Sequence, residues 1–204
     1  MKMLKDTAEC LKFDVAAGAT PKLYNLQANR DHRGTFCELW NKQNLPELVA
    51  PSQLNYSISE PNVLRGMHWQ ARPNDIGKYV VCLAGAIQDV VVDLRRSSST
   101  FKRWRAYKLS FNPASALWVP AGFAHGFLNV SHGVSYVVYM QSGPYCPESE
   151  RSFRFDDPEI GINWDSLRNK KPSYLKNQVK PFVLSKKDTV ARDFASLTEG
   201  DIFV

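Results

Sequence analysis

The chain has 204 residues, 44% hydrophobic and 23% charged, a balance that suits one globular domain and excludes global disorder. No apolar run approaches the roughly 20 residues needed to cross a bilayer, and residues 1–12 lack the apolar stretch of a secretory signal, so a cytoplasmic protein with no membrane partner is expected. The net charge of +6 has two readings: attraction for an anionic partner such as a diphosphate or nucleic acid, or a solvated basic tail, since Lys170, Lys171, Lys176, Lys180, Lys186 and Lys187 crowd the C-terminal part. The tail explains that clustering at least as well, and no nucleic-acid partner is expected.

Residues 1–23 show no clear periodicity and are expected to form an N-terminal arm. From residue 24 to about 165 the pattern is short strands separated by turn residues, which predicts an all-β sandwich or barrel. Its clearest strand pair covers residues 79–83 and 87–94. Their β-branched content and the central glycine of Ala84-Gly85-Ala86 predict two strands joined by a tight turn. Further strands are predicted at 53–59, 105–111, 116–119, 123–130 and 134–141. Pro113, Pro120, Pro144 and Pro147 punctuate these runs, where a ladder hydrogen bond cannot be donated. Residues 166–204 turn polar and basic and are expected to pack on the domain as a tail, with a short helix over 187–197. The four cysteines, Cys10, Cys37, Cys82 and Cys146, are scattered, without the paired spacing of a zinc site or redox dithiol.

The segment from Pro120 through Gly122 and His125 to Asn129 fits P-x-G-x-x-H-x-x-x-N, the second cupin motif, so the β domain is expected to be a cupin jelly roll. A turn set by Pro120 and Gly122 feeds a strand whose histidine points into the barrel. In metal-binding cupins the first motif adds H-x-H and a glutamate. Here Gln70 stands at the second histidine of His68-Trp69-Gln70, and no glutamate follows before Asp89, so no metal is expected. An isolated His68 or His125 would read as a hydrogen-bonded core histidine. Arg65 before His68 and Lys78 at the start of the next strand point instead to a pocket for a phosphate-bearing ligand and a developing oxyanion.

Between Asn25 and Trp164 the sequence resembles the dTDP-4-dehydrorhamnose 3,5-epimerase family. Asp31-His32-Arg33-Gly34-Thr35-Phe36-Cys37-Glu38 looks like its D-x-R-G-x-F-x-E opening motif. Gln53, Asn55 and Ser57 match Q-x-N-x-S, and Leu64 to Gln70 match L-R-G-L-H-[FY]-Q. Residues 89–95, 98–104 and 156–164 resemble three further family motifs. The resemblance implies epimerisation of a 4-keto-6-deoxyhexose on a nucleoside diphosphate, without a cofactor.

By that likeness His68 is the base, Asp157 the carboxylate that supports it, Lys78 the cation at the C4 oxygen, and a tyrosine the acid on the opposite face. The tyrosine match falls on Tyr139, with Tyr136 as rival should the turn near Gly133 shift the register. Arg33 and Arg65 resemble diphosphate contacts, and Glu38, Gln53 and Asn55 resemble polar contacts to nucleotide and sugar. Phe36 and Tyr145 resemble the rings that bracket the nucleobase. His125 is expected to line the pocket, anchored by Asp89. The family draws part of this site from a partner subunit, which implies a homodimer. Each residue also has a plain structural reading: turn aspartate, surface arginine or lysine, core ring. Pro144-Tyr145 in place of two aromatics, Ser99 for proline and Lys102 for glycine depart from the family pattern and leave the nucleobase and sugar open. The alternatives are inversion at C3 only, a UDP-, CDP- or GDP-linked sugar, a metal-dependent cupin, and a non-catalytic sugar-binding cupin.

Overall fold

The computed structural model describes residues 12–14, 16, 18–43, 51–168 and 181–204. Twelve strands follow in order: β1 (Lys22–Asn25), β2 (Ala28–Asp31), β3 (Gly34–Cys37), β4 (Gln53–Ser59), β5 (Leu64–Gln70), β6 (Lys78–Ala84), β7 (Ala86–Asp93), β8 (Trp104–Ser110), β9 (Ser115–Val119), β10 (Phe123–Asn129), β11 (Ser135–Gln141) and β12 (Glu150–Ser152). Two single-turn helices come later, α1 (Trp164–Leu167) and α2 (Lys186–Thr189). Two five-stranded sheets, ordered β1-β9-β6-β11-β4 and β12-β5-β10-β7-β8, form the sandwich, and β2-β3 is a separate hairpin. The architecture is the cupin-type jelly roll that the second motif implies, and the strand bounds agree with the alternation pattern to within a residue or so.

The pair on either side of Gly85 is a correction. β6 and β7 do not pair with each other; they lie in opposite sheets, and Gly85 is the corner between them at φ +77°. A Cβ there would sit 2.6 Å from Ser131 Oγ and 2.9 Å from the Val134 carbonyl, so the corner takes glycine for space as well as for backbone angle. A corner and a hairpin turn carry the same local residues, and only the partner strands tell them apart.

The second sheet is buried on both faces, which explains why Val90-Val91-Val92 on β7 reads as an unbroken apolar run. Val91 faces the sandwich interior with Val80, Leu117, Phe123, Phe127 and Val137. Val90 and Val92 face the other way, with Leu64, Met67, Trp69 and Leu128, under a layer of Phe153, Ile160, Ile162, Trp164, Phe194 and Phe203. The C-terminal segment is thus part of the core, tied by bridges Val63–Val183 and Arg95–Phe203 and by Trp69 Nε1 donating to the Asp201 carbonyl at 2.7 Å. The N-terminal side also contributes, through Phe13 packed edge-on against Phe123 at 5.1 Å.

The helix expected over 187–197 is two separate turns, α2 and a 3-10 turn at Phe194–Ser196. Asp188 and Phe194 are both buried. Six residues apart they would lie about 120° apart on one helix, so burying both against a single surface requires a break. Between them the Arg192 carbonyl accepts from the Arg154 amide at 2.9 Å. Lys170, Lys171, Lys176, Lys180 and Cys10 lie outside the described residues. No described helix is long and apolar enough to cross a membrane.

Candidate active site

One end of the sandwich is polar inside and opens as a cavity. β5 and β10 supply one wall. They cross at Gly66 and Gly126, where a Cβ on Gly66 would come within 2.6 Å of the Gly126 Cα, and one on Gly126 within 2.7 Å of Met67 Sδ. This close approach needs both glycines, and it sets His68 directly opposite His125 in the ladder. Both rings line the cavity. The facing wall comes from β4, β6 and β11, with Lys78 opposite Gln141 and Tyr139 opposite Val80.

His68 Nε2 is 2.6 Å from Asp188 Oδ1. Asp188 is buried on α2, and its other oxygen accepts from Ser185 Oγ at 2.9 Å. Burial works to raise the Asp188 carboxyl, yet the hydrogen bond and charge of His68, with help from Ser185, hold it below the usual carboxylate value. A buried carboxylate donated to by Nε2–H leaves the ring's basic lone pair on Nδ1.

The carboxylate expected for this role, Asp157, is elsewhere engaged. Its Oδ1 accepts the backbone N–H of Glu159 and Ile160, and its Oδ2 accepts that of Phe194 at 2.7 Å. Asp157 therefore organises the turn after β12 and pins the C-terminal segment, the Asp-Pro turn role weighed against it from sequence. His68 pairs with Asp188 instead. The signal for Asp188 lay in Ser185-Lys186-Lys187-Asp188, a helix-start pattern in which Ser185 caps Asp188 N.

His125 Nε2 bonds Asp89 Oδ2 at 2.8 Å, as the sequence suggested, and Asp89 Oδ1 has no partner among the described residues. Burial raises the Asp89 carboxyl, opposed by His125 and Lys78. Lys78 is pushed below its usual value by burial, with Glu150 and Asp89 pulling the other way. Tyr139 lines the cavity; Tyr136 alternates to the outer face of β11 and is 42% exposed. Ser57 and Gln141 also line the cavity, and neither Ser57 Oγ nor Gln141 Oε1 has a partner among the described residues. Sequence reasoning did not single out Gln141 because a polar residue ending a strand is ordinary.

Arg65 and Tyr145 reach the cavity as expected. Gln70 lines the cavity and clamps its rim, donating to the Asn74 carbonyl and accepting from the Cys146 N–H. Gln53 bonds Asn55 and the Tyr145 N–H, and Glu38 bonds Asn41, so these three side chains are not brought to the cavity wall. Arg33 pairs with Asp31 on the exposed β2-β3 hairpin, and Phe36 there is 72% exposed; both lie apart from the cavity of their own chain. Among the described residues no three His, Cys, Asp or Glu side chains converge as a metal site would require.

The family model described as dTDP-4-dehydrorhamnose 3,5-epimerase matches residues 20–196. The dTDP-4-dehydrorhamnose 3,5-epimerase of Sinorhizobium fredii is 37% identical over 182 residues, covering 87% of this chain and 86% of its own. The structure of dTDP-6-deoxy-D-glucose-3,5-epimerase from Legionella pneumophila in complex with dTDP-4-keto-L-rhamnose is similar at TM-score 0.78 and 32% identity, covering 90% of this chain and 92% of that one. A 3'-monoepimerase from Streptomyces bikiniensis in complex with dTDP-quinovose is similar at TM-score 0.74 and 30% identity, covering 86% of this chain and 84% of that one.

Proposed function

Since the chain belongs to the dTDP-4-dehydrorhamnose 3,5-epimerase family, we propose that it inverts C3 and C5 of dTDP-4-dehydro-6-deoxyglucose, giving dTDP-4-dehydro-L-rhamnose, by proton transfer alone. The observation that carries this reading is a base and an acid on opposite walls of one cavity: His68 backed by Asp188 on one sheet, Tyr139 on the other. A ketone acidifies the hydrogens on both flanking carbons. Nδ1 of His68 takes the hydrogen from one face, and Asp188 stabilises the imidazolium that forms. The electron pair moves onto the C4 oxygen, where the Lys78 ammonium meets the new charge. Tyr139 then returns a proton to the other face, and the carbon is inverted. Burial pushes the Lys78 ammonium below its ordinary value, and the nearby Glu150 and Asp89 carboxylates favour its charged form. Ser57 and Gln141 supply polar contacts to the sugar, and Arg65 faces the diphosphate.

The protein acts as a homodimer in this reading. The outer face of β4, β11 and β6 carries Leu54, Tyr56, Ile58, Leu83 and Tyr136, all exposed in the single chain, an apolar face of the kind a second subunit covers. Arg33 and Phe36, set off on the β2-β3 hairpin, would reach the cavity of the partner. A second reading, inversion at C3 only, is favoured by the likeness to the 3'-monoepimerase. Turnover of a dTDP-linked 4-keto sugar in deuterated water, followed by NMR, decides between them. Label at C3 and C5 is expected, label at C3 alone gives the monoepimerase, and no label from wild type, matching a His68→Asn control, overturns both.

A further inference from the structure

Within a polar cavity, one apolar side chain is held at the mouth without serving the core. Tyrosines apart, the apolar lining residues are Trp69, Ile76, Val80 and Phe127. Trp69, Val80 and Phe127 are buried and belong to the core clusters. Ile76 is partly exposed and packs into none of the core clusters among the described residues. A lone apolar residue on an outer surface is ordinary. Ile76 instead faces a cavity, from a segment whose backbone is tied down on both sides of it.

Ile76 lies two residues before Lys78, which opens β6, and Val80 lies two residues after it; all three line the cavity. Alternate residues of an extended chain point to one face, about 6–7 Å apart. The row thus runs from the loop at the mouth, through Lys78, to Val80 opposite Tyr139. Gly77, inside the row, donates its N–H to Ser142 Oγ at 2.8 Å, and its carbonyl accepts the Ser142 N–H at 3.0 Å. A Cβ on Gly77 would lie 2.3 Å from the Trp118 ring, and one on Gly143 would lie 2.7 Å from Ile76 Cγ2. This close approach seats Ile76 against the Ser142-Gly143 backbone. The same backbone continues through Pro144 to Tyr145, whose ring lines the cavity at its rim.

We propose that Ile76 is a specificity-determining residue: it seats the 5-methyl group of a thymine base, so that the site takes a thymidine nucleotide in preference to a uridine or cytidine one. The inference rests on the proposed function, with Lys78 at the C4 oxygen and Tyr145 against the base. A dTDP-linked 6-deoxyhexose carries a methyl group at each end. The sugar lies inward of Lys78, where Val80 and Phe127 give its methyl an apolar floor. The base lies outward at Tyr145, where Ile76 is the aliphatic side chain in the lining. Uracil and cytosine carry only hydrogen at the 5-position and leave Ile76 in contact with water, so the methyl contact sets the preference.

The test is calorimetric titration of wild type, Ile76→Ala and Ile76→Leu with deoxythymidine diphosphate and deoxyuridine diphosphate, which differ only in the 5-methyl group. Wild type is expected to bind the thymidine nucleotide about tenfold more tightly, the low end of what one methyl group is worth in an apolar pocket. In Ile76→Ala that ratio should fall to about threefold or less through weaker thymidine binding, with the uridine nucleotide bound as in wild type; Ile76→Leu should keep most of the preference. The uridine nucleotide thus reports whether each variant is folded with its site intact. Equal affinities in wild type, or a ratio that Ile76→Ala leaves unchanged, would overturn the seat. A wild type that binds neither nucleotide overturns both the seat and the dTDP reading of the cavity. Preferential binding without any hydrogen exchange on the 4-keto sugar overturns the proposed epimerisation alone and leaves the seat standing.

Discussion

Replacing Asp188 and Asp157 by asparagine, one at a time, separates the two carboxylates that sequence reasoning confused. In Asp188→Asn the new side chain would keep the shape, with its Oδ1 still accepting from His68 Nε2 and its amide able to donate to Ser185 Oγ, so the fold should survive. What disappears is the negative charge 2.6 Å from a ring that becomes cationic on taking a proton. A charge-assisted hydrogen bond is worth about 1.5–3 kcal/mol. At 1.36 kcal/mol per decade, Asp188→Asn should lower kcat on the order of 10- to 150-fold, with KM little changed. In Asp157→Asn the buried bond from the Phe194 N–H to Oδ2 is lost, and the expected cost is about 1.5–3 kcal/mol of stability, with kcat of the folded protein within about threefold. Deuterium exchange rates and urea midpoints, measured side by side, give both numbers. A full-rate Asp188→Asn beside a slow, stable Asp157→Asn would refute the assignment.

Lys78→Met should slow exchange by about a hundredfold or more, the cost of removing a preorganised oxyanion donor of about 2.7–4 kcal/mol. In wild type, turnover should fall as pH rises through a value below 10.5, because burial lowers the Lys78 value and the neutral amine no longer meets the oxyanion; a pH–rate profile checks the limb. Tyr139→Phe should keep hydrogen exchange but lose inversion, since the carbanion can then be reprotonated only from the His68 face; Tyr136→Phe should retain both, by product NMR. Asp201 is held down to about 2 by Thr198, Arg151 and Arg192 against its own burial. Its folded value lies below its unfolded one of about 3.8, so it contributes about 2 kcal/mol of stability above pH 4 that is lost as pH falls toward 2. Urea unfolding at pH 5 and 2.5 should show that loss shrink in Asp201→Asn. Tyr56→Asp, on the exposed apolar face, should shift the protein toward monomer in sedimentation and raise KM if Arg33 and Phe36 serve the partner's cavity.

Local pattern carried the strands well, because each inward residue of a half-buried strand is forced to alternate. It failed where two long-range arrangements share one local signature. Gly85 suits a hairpin or a corner equally, and only the pairing of β6 with β9 and β11, and of β7 with β8 and β10, decides. The motif residues His68, Lys78, Tyr139 and Arg65 were legible as a set because each falls in a family-like stretch on a regular strand, and the two facing sheets bring those strands to one cavity. Asp188 was not. It reaches His68 across 120 residues of sequence, from a one-turn helix whose only buried side chain is the carboxylate itself. No periodicity marks such a turn, and the nearer Asp157, in a motif-rich stretch beside a proline, drew the assignment. A site split in this way between a sheet and the C-terminal segment makes the base depend on the docking of that segment. Truncation after residue 184 should therefore abolish exchange even where the β-sandwich core persists.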